Sequence, residues 1–221
     1  MAAIEHTAAE LIPASAGLDE VREVARGCRA CDLWARGTQT VFGEGRIHAP
    51  LMLVGEQPGD VEDEEGRPFV GPAGRWLDRA LDEAGIRRDE TYVTNVVKHF
   101  KWEPRGKRRI HSKPNRREVR ACLPWLEREI ELVEPDGIVL LGATAAQAVL
   151  GWDFQLTRHR GELIESALAP IVMATVHPSA LLRAPDDETR RRETARFVEE
   201  LRFVRRQVEM SGSTARGAKP R

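Results

Sequence analysis

The chain has 221 residues, of which 41% are hydrophobic, and its 34 basic and 35 acidic side chains leave a formal net charge of -1. This length can bury a substantial core, most simply as one domain. Any affinity for nucleic acid must come from a local patch of positive charge, because the chain as a whole carries almost none. No apolar run reaches the roughly 18–20 residues that a membrane span needs, so we expect no membrane contact.

The number of cysteines and the first 17 residues indicate the cellular compartment of the protein. Three cysteines are too few for a disulfide scaffold, and free thiols fit a reducing setting in which they can bind metal. The first 17 residues contain acids and lack a basic segment before a hydrophobic one, so they do not resemble a secretion signal. We therefore expect a cytoplasmic protein.

Apolar periodicity and glycine or proline breaks place the predicted elements. In the first half these are a flexible arm over residues 1–17, a helix over residues 18–30, a strand over residues 51–54, an acidic loop over residues 61–67 and a helix over residues 75–84. In the second half they are a strand over residues 91–97, a basic loop over residues 98–117, a helix over residues 117–133, a strand over residues 137–141, a helix ending at residue 150, a strand over residues 171–176, a helix over residues 188–208 and a disordered tail over residues 210–221. We expect one domain over residues 18–209.

Four short apolar strands separated by helices predict a three-layer α/β/α sandwich with a central four-stranded parallel sheet. In such sheets, ligands bind beyond the carboxyl ends of the strands. Polar residues follow these ends at residues 55–60, 95–99, 142–144 and 177–179. The sequence therefore predicts a functional site at this edge of the sheet.

The predicted loop over residues 98–117 is strongly basic. It contains nine Lys or Arg residues and one acid, Glu103, with His99 and His111 towards its ends. A charge run of this kind is most often a solvated surface. Its place after a predicted strand end makes a nucleic-acid contact the alternative.

A metal site is indicated by Cys28 and Cys31, which form a CxxC pair, together with the remote Cys122. Such a set suits zinc or an iron–sulfur cluster, and His99 could supply the fourth ligand. The alternative is a chance pair and a buried helical thiol. Spacing alone leaves the identity of the metal open.

Five motifs in order resemble the family 4 class of the uracil-DNA glycosylase superfamily. They are LVGEQPG at residues 53–59, GRPFVGPAG at 66–74, YVTNVVK at 92–98, LLGAT at 140–144 and VHPS at 176–179. The resemblance implies the fold of that superfamily, uracil excision from DNA and a 4Fe–4S cluster. Family 4 members have a cysteine directly after the strand lysine where this chain has His99, so the resemblance implies a cluster on Cys28, Cys31, His99 and Cys122.

That departure, and an insertion ending in KRRIH at residues 107–111, resemble the UdgX subgroup. Members of this subgroup become covalently attached to uracil-containing DNA. The resemblance therefore implies single-turnover chemistry in which the protein remains joined to its substrate.

Base excision requires a flipped or single-stranded base, which needs an aromatic face and an edge reader. Phe69 is the predicted stacking residue, and Asn95 can offer both a donor and an acceptor to uracil. His177 could stabilise the leaving uracil anion, and Glu56 the positive charge that develops at the sugar C1′.

The same interpretation assigns roles to the remaining polar residues. Gly55 and Gln57 are expected to supply contacts from the first motif, and Asp60 to orient them. A neutral His111 near C1′ should compete with water as the nucleophile, which leaves an irreversible protein–DNA bond. Arg109 is expected to position the loop or a phosphate. Lys107 and Arg108 should add salt-sensitive affinity for the DNA backbone.

Two other functions remain open at this stage. One is an ordinary multiple-turnover family 4 glycosylase, which the KRRIH string disfavours. The other is a non-catalytic iron–sulfur module that binds nucleic acid, which the polar set at the strand ends disfavours. We expect a monomer whose partner is uracil-containing DNA, with single strands favoured.

Overall fold

Five strands form a mixed central sheet, and helices cover both of its faces. The structure is a computed structural model that describes residues 6–217, with side chains described through residue 211. The strands are β1 (Glu44–Gly45), β2 (Leu51–Gly55), β3 (Thr91–Asn95), β4 (Trp102–Arg105), β5 (Arg108–His111), β6 (Gly137–Leu141) and β7 (Ile171–Thr175). The helices are α1 (Leu18–Ala25), α2 (Asp60–Glu65), α3 (Pro72–Glu83), α4 (Arg116–Val133), α5 (Ala143–Leu150), α6 (Leu156–His159), α7 (Pro178–Leu182) and α8 (Asp187–Gly217).

The sheet has the order β1-β3-β2-β6-β7. The four parallel strands are those that the sequence predicted, and β1 adds a short antiparallel edge beside β3. Alternate residues of each strand enter different cores. In β6, Ile138 and Leu140 belong to the core that includes α4, whereas Val139 and Leu141 belong to the core beneath α3 and α8. The predicted α/β sandwich is therefore confirmed, with one more strand than expected.

The predicted flexible arm is ordered where it is described. Residues 1–5 lie outside the described range, but Ala8 and Ala16 are buried and belong to the same core as α4. Arg128 of α4 donates from Nη2 to the carbonyl oxygens of Ala14 (3.3 Å) and Ala16 (2.8 Å). Composition alone does not reveal this docking, because the contacts are made by small side chains and backbone.

Helix boundaries differ from the prediction at both ends of the domain. Helix α1 ends at Ala25, before Gly27, so the CxxC pair lies outside it. Helix α8 continues to Gly217 and thus covers part of the segment predicted as a disordered tail; residues 218–221 lie outside the described range. Among the described residues, no helix combines the length and apolar character needed to cross a membrane.

The acidic segment predicted as a loop is the short helix α2. Gly59 precedes it, and the Glu62 carboxylate accepts the Gly59 amide hydrogen (3.2 Å), which satisfies a free backbone donor at the helix start. Gly66 ends the helix with φ of +71°, a conformation that glycine adopts readily. The loop prediction was wrong because the capping contacts were not visible as apolar periodicity.

The basic segment predicted as a loop contains a β-hairpin. Strands β4 and β5 pair in antiparallel register, with Trp102 opposite His111 and Arg105 opposite Arg108. Gly106 allows the tight turn between them with φ of +61°. The alternation of side chains places Arg109 and His111 on one face of β5. The hairpin therefore gives His111 a fixed orientation that a loop would not.

Candidate active site at the carboxyl edge of the sheet

Gly55 and Asn95 end adjacent strands and lie directly opposite each other. The Asn95 side chain is buried, and its Oδ1 has no hydrogen-bond partner among the described residues. A Cβ atom at Gly55 would lie 2.3 Å from that oxygen, so a larger residue there would displace the amide. The strand ends thus present an acceptor that is free to bind a ligand N–H.

Phe69 lies over the same strand end. Its backbone has φ of +57°, a conformation that side chains rarely adopt, and a Cβ at Gly55 would lie 2.7 Å from its Cζ. Its ring stacks on that of His177 with a centroid distance of 5.9 Å and an interplanar angle of 30°. Such strained aromatic placement is typical of binding sites, and it brings the predicted stacking residue beside the predicted leaving-group donor.

His177 is held as a neutral donor. The Ser179 amide donates to His177 Nδ1 (3.2 Å), so Nδ1 must be an acceptor and the ring proton resides on Nε2. Burial lowers the pKa of His177 to about 4, against the opposing charge of Glu56. The imidazole therefore stays uncharged at neutral pH and can donate one hydrogen bond from Nε2.

Glu56 and His111 face each other across the site. His111 Nε2 lies 3.2 Å from Glu56 Oε1, and the two side chains are 50% and 21% exposed. Burial raises the pKa of Glu56, but hydrogen bonds with His111 and Thr144 outweigh it and leave that pKa lowered. Glu56 is therefore a carboxylate at neutral pH, and it contacts the only side chain that the sequence predicted as a nucleophile.

Gln57 attaches the base of the hairpin to the end of β2. Its Nε2 donates to the carbonyl oxygens of Lys101 (3.1 Å) and Ser112 (3.2 Å), while its Oε1 accepts the Lys101 amide hydrogen (3.2 Å). Gln57 follows Glu56, and Ser112 follows His111 in the chain. The Gln57 side chain, predicted as a substrate contact, thus fixes the spacing between the carboxylate and the imidazole.

Arg109 anchors the far part of the hairpin to α2. Its guanidinium contacts the carboxylates of Asp60 (2.5 Å), Asp63 (2.6 Å) and Glu64 (3.2 Å). Asp63 is fully buried and also accepts the Thr38 hydroxyl hydrogen at 2.6 Å. Of the two predicted roles for Arg109, this arrangement matches the one that positions the loop.

The outer residues of this region have separate environments. Asp60, predicted as a catalytic group, is paired with Arg109 rather than with the Glu56 motif that it was expected to orient. Lys107 and Arg108 lie exposed at the tip of the hairpin. Asp63 was missed by the sequence analysis, because the acidic run gave no sign of which carboxylate is buried.

The three cysteines lie close enough that the pKa values of Cys31 and Cys122 respond to the neighbouring thiols. Burial raises the pKa of Cys31 to about 11 and raises that of Cys122 further. The Lys98 amide donates to Cys122 Sγ (3.2 Å), and the Trp125 indole donates to Cys28 Sγ (3.3 Å). Hydrogen bonds to sulfur of this kind tune iron–sulfur clusters.

His99 presents a free nitrogen lone pair in the same region. The Thr40 hydroxyl donates to the Ala25 carbonyl (2.9 Å), so at its 3.0 Å contact with His99 Nε2 the hydroxyl oxygen accepts. The neutral ring therefore carries its proton on Nε2, while the buried Nδ1 has no partner within the described part of the chain. Within residues 6–211, no three His, Cys, Asp or Glu side chains converge as ligands of one metal ion. The buried Nδ1 of His99 nevertheless has a lone pair that a metal ion could accept.

A cleft of about 850 Å³ has Phe69 in its wall but none of Glu56, Asn95 and His177. Four of its charged lining residues pair with each other: Glu44 with Arg67, and Asp78 with Arg88. We assign the functional site to the strand ends, because the unpartnered Asn95 oxygen and the Glu56–His111 pair lie there.

The amino-acid sequence is similar to those of known proteins. Residues 42–202 match the family described as the uracil DNA glycosylase superfamily. The chain belongs to the uracil DNA glycosylase superfamily. It is 41% identical over 175 residues to a type-4 uracil-DNA glycosylase of Thermotoga maritima, with 79% of this chain and 88% of the relative covered. It is 38% identical to the type-4 enzyme of Pyrobaculum aerophilum (76% and 86% covered) and 30% identical to a type-5 enzyme of the same organism (72% and 74% covered).

Within this superfamily member, the matched segment contains all the strand-end residues described above, while Cys28 and Cys31 precede it. The type-4 assignment agrees with the resemblance drawn from the five motifs.

We expect the free energy of unfolding of this glycosylase superfamily member to fall as the pH is lowered from 6.5 to about 4. Over that window the unfolded chain protonates His177, whereas burial keeps the folded ring neutral. The contribution is at most about 1.4 kcal/mol per pH unit. Denaturant titrations at several pH values should show a smaller fall for His177→Gln. If the free energy of unfolding fell equally in the wild type and in His177→Gln, the neutral state of buried His177 would be contradicted.

Proposed function

We propose that this protein recognises uracil in DNA, cleaves its N-glycosidic bond and becomes covalently joined to the sugar C1′ through His111. The observation that carries the proposal is the 3.2 Å contact between His111 and the Glu56 carboxylate at the strand ends. The type-4 relatives support the excision step, since they are named as uracil-DNA glycosylases.

Base recognition would use the unpartnered Asn95 Oδ1, which can accept the uracil N3–H. Phe69 would stack on the base. When the bond between C1′ and N1 breaks, its electron pair remains on uracil, and the negative charge spreads to the carbonyl oxygens. The Nε2–H of neutral His177 would donate to one of these oxygens and stabilise the leaving anion.

Glu56 would stabilise the positive charge at C1′ with its carboxylate, which the lowered pKa keeps ionised. His111 would then supply an imidazole lone pair to C1′. The resulting imidazolium gives its remaining ring proton to the released uracil anion, which leaves a neutral N-linked sugar and neutral uracil. Because the hairpin is attached to β2 through Gln57, the imidazole is held beside the reacting carbon while water must diffuse in.

A denaturing gel tests this function. Purified protein is mixed with a labelled single strand containing one uracil, and the same strand with thymine serves as the control. A protein–DNA band that resists SDS and heat, formed only with uracil, is the expected result. Repeated uracil release without such a band would instead identify an ordinary turnover glycosylase.

The anchoring of the hairpin gives a matched pair of variants. We expect Arg109→Ala to slow adduct formation about tenfold relative to uracil release, since about 1.4 kcal/mol of positioning free energy suffices for that factor. Arg108→Ala changes the neighbouring exposed residue on the other face of β5. It should preserve this ratio and weaken only salt-sensitive binding. Equal effects of the two changes on the ratio would contradict the anchoring role.

We also propose a 4Fe–4S cluster held by Cys28, Cys31, His99 and Cys122. The unpartnered His99 Nδ1 and the N–H donors to Cys28 and Cys122 support this ligand set. When bound, the cluster would supply a structural crosslink between the CxxC segment, the start of the basic segment and α4. Visible thiolate-to-iron absorption and iron content should distinguish it from zinc, and His99→Ala should lower both.

The substrate is proposed to be uracil-containing DNA bound by a monomer. Single strands would be favoured, because a base in a single strand need not be unpaired before it enters the site. Lys107 and Arg108 at the exposed hairpin tip support contact with the DNA backbone.

A further inference from the structure

Lys98 and Glu129 form an ion pair that is wholly excluded from solvent. Both side chains are 0% exposed, and Lys98 Nζ lies 2.5 Å from Glu129 Oε2. The other carboxylate oxygen, Oε1, accepts hydrogen bonds from the Gly43 amide (2.8 Å) and the Tyr92 hydroxyl (3.0 Å). The pair joins β3 and the turn after it to the middle of α4.

The Lys98 ammonium has two further acceptors. It donates to Thr94 Oγ1 (2.6 Å) and to the Asn95 carbonyl oxygen (2.7 Å), which accounts for all three of its hydrogens. The bond to Asn95 closes the turn over residues 95–98. Asn95 is the same residue whose Oδ1 stays free at the strand ends.

The closed turn is also attached to the first motif. The amides of Val96 and Val97 donate to the carbonyl oxygens of Gly55 (2.9 Å) and Glu56 (3.0 Å). Lys98 therefore fixes a segment whose backbone holds both the base-reading strand end and the residue before Gln57. Rotation of the peptide bond after Asn95 would move the Asn95 side-chain amide towards Gly55. The two residues are already in close contact there, since a Cβ atom at Gly55 would lie 2.3 Å from Asn95 Oδ1.

Stability alone is a weak reason for such a pair, since buried ion pairs can often be replaced by neutral side chains without loss. We propose that Lys98 and Glu129 are positioning residues that hold Asn95 in the orientation required to read uracil. This inference rests on the proposed function, in which Asn95 contacts the base. It assigns the pair a role in base recognition through the Asn95 backbone.

The variants must separate positioning from folding. Lys98→Met alone leaves a buried carboxylate without its counter-charge, so loss of stability would mask any effect on the base. The double variant Lys98→Met/Glu129→Gln removes both charges and keeps an amide oxygen for Gly43 and Tyr92. Glu129→Asp is a second, milder variant, because it keeps the negative charge and moves the carboxylate away from Lys98. Tyr92→Phe is the matched control, because it removes a bond to Oε1 and leaves Lys98 untouched.

Binding is measured with a single strand that carries a 2′-fluorinated deoxyuridine, whose glycosidic bond resists cleavage, and with the same strand carrying thymidine. The ratio of the two Kd values reports base recognition separately from backbone affinity. Thermal unfolding reports stability. We expect the double variant to fold, and its ratio of the two Kd values to fall about tenfold, which corresponds to the loss of one hydrogen bond between neutral groups. Glu129→Asp should lose less, and Tyr92→Phe none.

The outcomes are distinguishable. A folded double variant with the wild-type ratio would overturn the inference, as would an equal loss in Tyr92→Phe. If the double variant fails to fold, the same comparison is decided by Glu129→Asp, for which an unchanged ratio overturns the inference. A wild-type protein that does not prefer the uracil strand would overturn the proposed function and the inference with it.

Discussion

Replacement of His111 by serine should abolish the SDS-resistant adduct and allow repeated uracil release. Serine lacks the imidazole lone pair, so water becomes the nucleophile at C1′ while Glu56, Asn95 and His177 remain in place. The hairpin keeps its anchors, because Gln57 holds it through backbone atoms of Lys101 and Ser112. The variant should therefore change from one uracil per protein molecule to many, measured as free uracil over time with the strand in excess.

His159 offers a matched control for that experiment. It lies in α6 and contacts Glu162 at 2.9 Å, so it is also an exposed histidine paired with a glutamate. His159→Ser should leave adduct formation unchanged. An adduct that persists in His111→Ser would assign the covalent bond to another residue.

Replacement of Glu56 by glutamine should suppress both uracil release and adduct formation. The amide is similar in shape but cannot balance the charge that develops at C1′ before His111 or water attacks. A loss of roughly 10²–10³-fold is expected when a positioned group that stabilises charge in the transition state is removed. Single-turnover rates with protein in excess measure it, since they do not depend on whether the product is released.

The control for Glu56→Gln is Glu162→Gln, which makes the same change in the other histidine–glutamate pair. It should leave the single-turnover rate unchanged. If Glu56→Gln blocked the adduct but left uracil release at the wild-type rate, Glu56 would act only on His111, and its role in bond cleavage would be wrong.

The sequence predicted the sheet well because its strands are buried on both faces. Runs such as residues 51–54 and 137–141 are continuously apolar, which alternating surface strands are not. The same runs located the strand ends, so Glu56, Asn95 and His177 were correctly placed near one another. The local apolar pattern was sufficient to predict these strands, because burial on both faces requires apolar side chains at every position.

The sequence did not predict contacts between segments distant in the chain. The sequence predicts a loop in place of the hairpin because the two strands are exposed and basic. Their pairing depends on tertiary anchors at Gln57 and Asp63. The sequence also gave no sign that Glu129 is buried. It lies beside the apolar stripe of α4, and only the fold shows that it pairs with Lys98. Charge patterns do not reveal which ions are buried.

Mass spectrometry of the denatured complex tests covalent capture by His111 most directly. The protein is reacted with a uracil-containing strand and digested with protease and nuclease. We expect the peptide containing His111 to carry the abasic deoxyribose, with the modification on the imidazole. An adduct mapped to another side chain, or an unmodified His111 peptide after complete reaction, would contradict it.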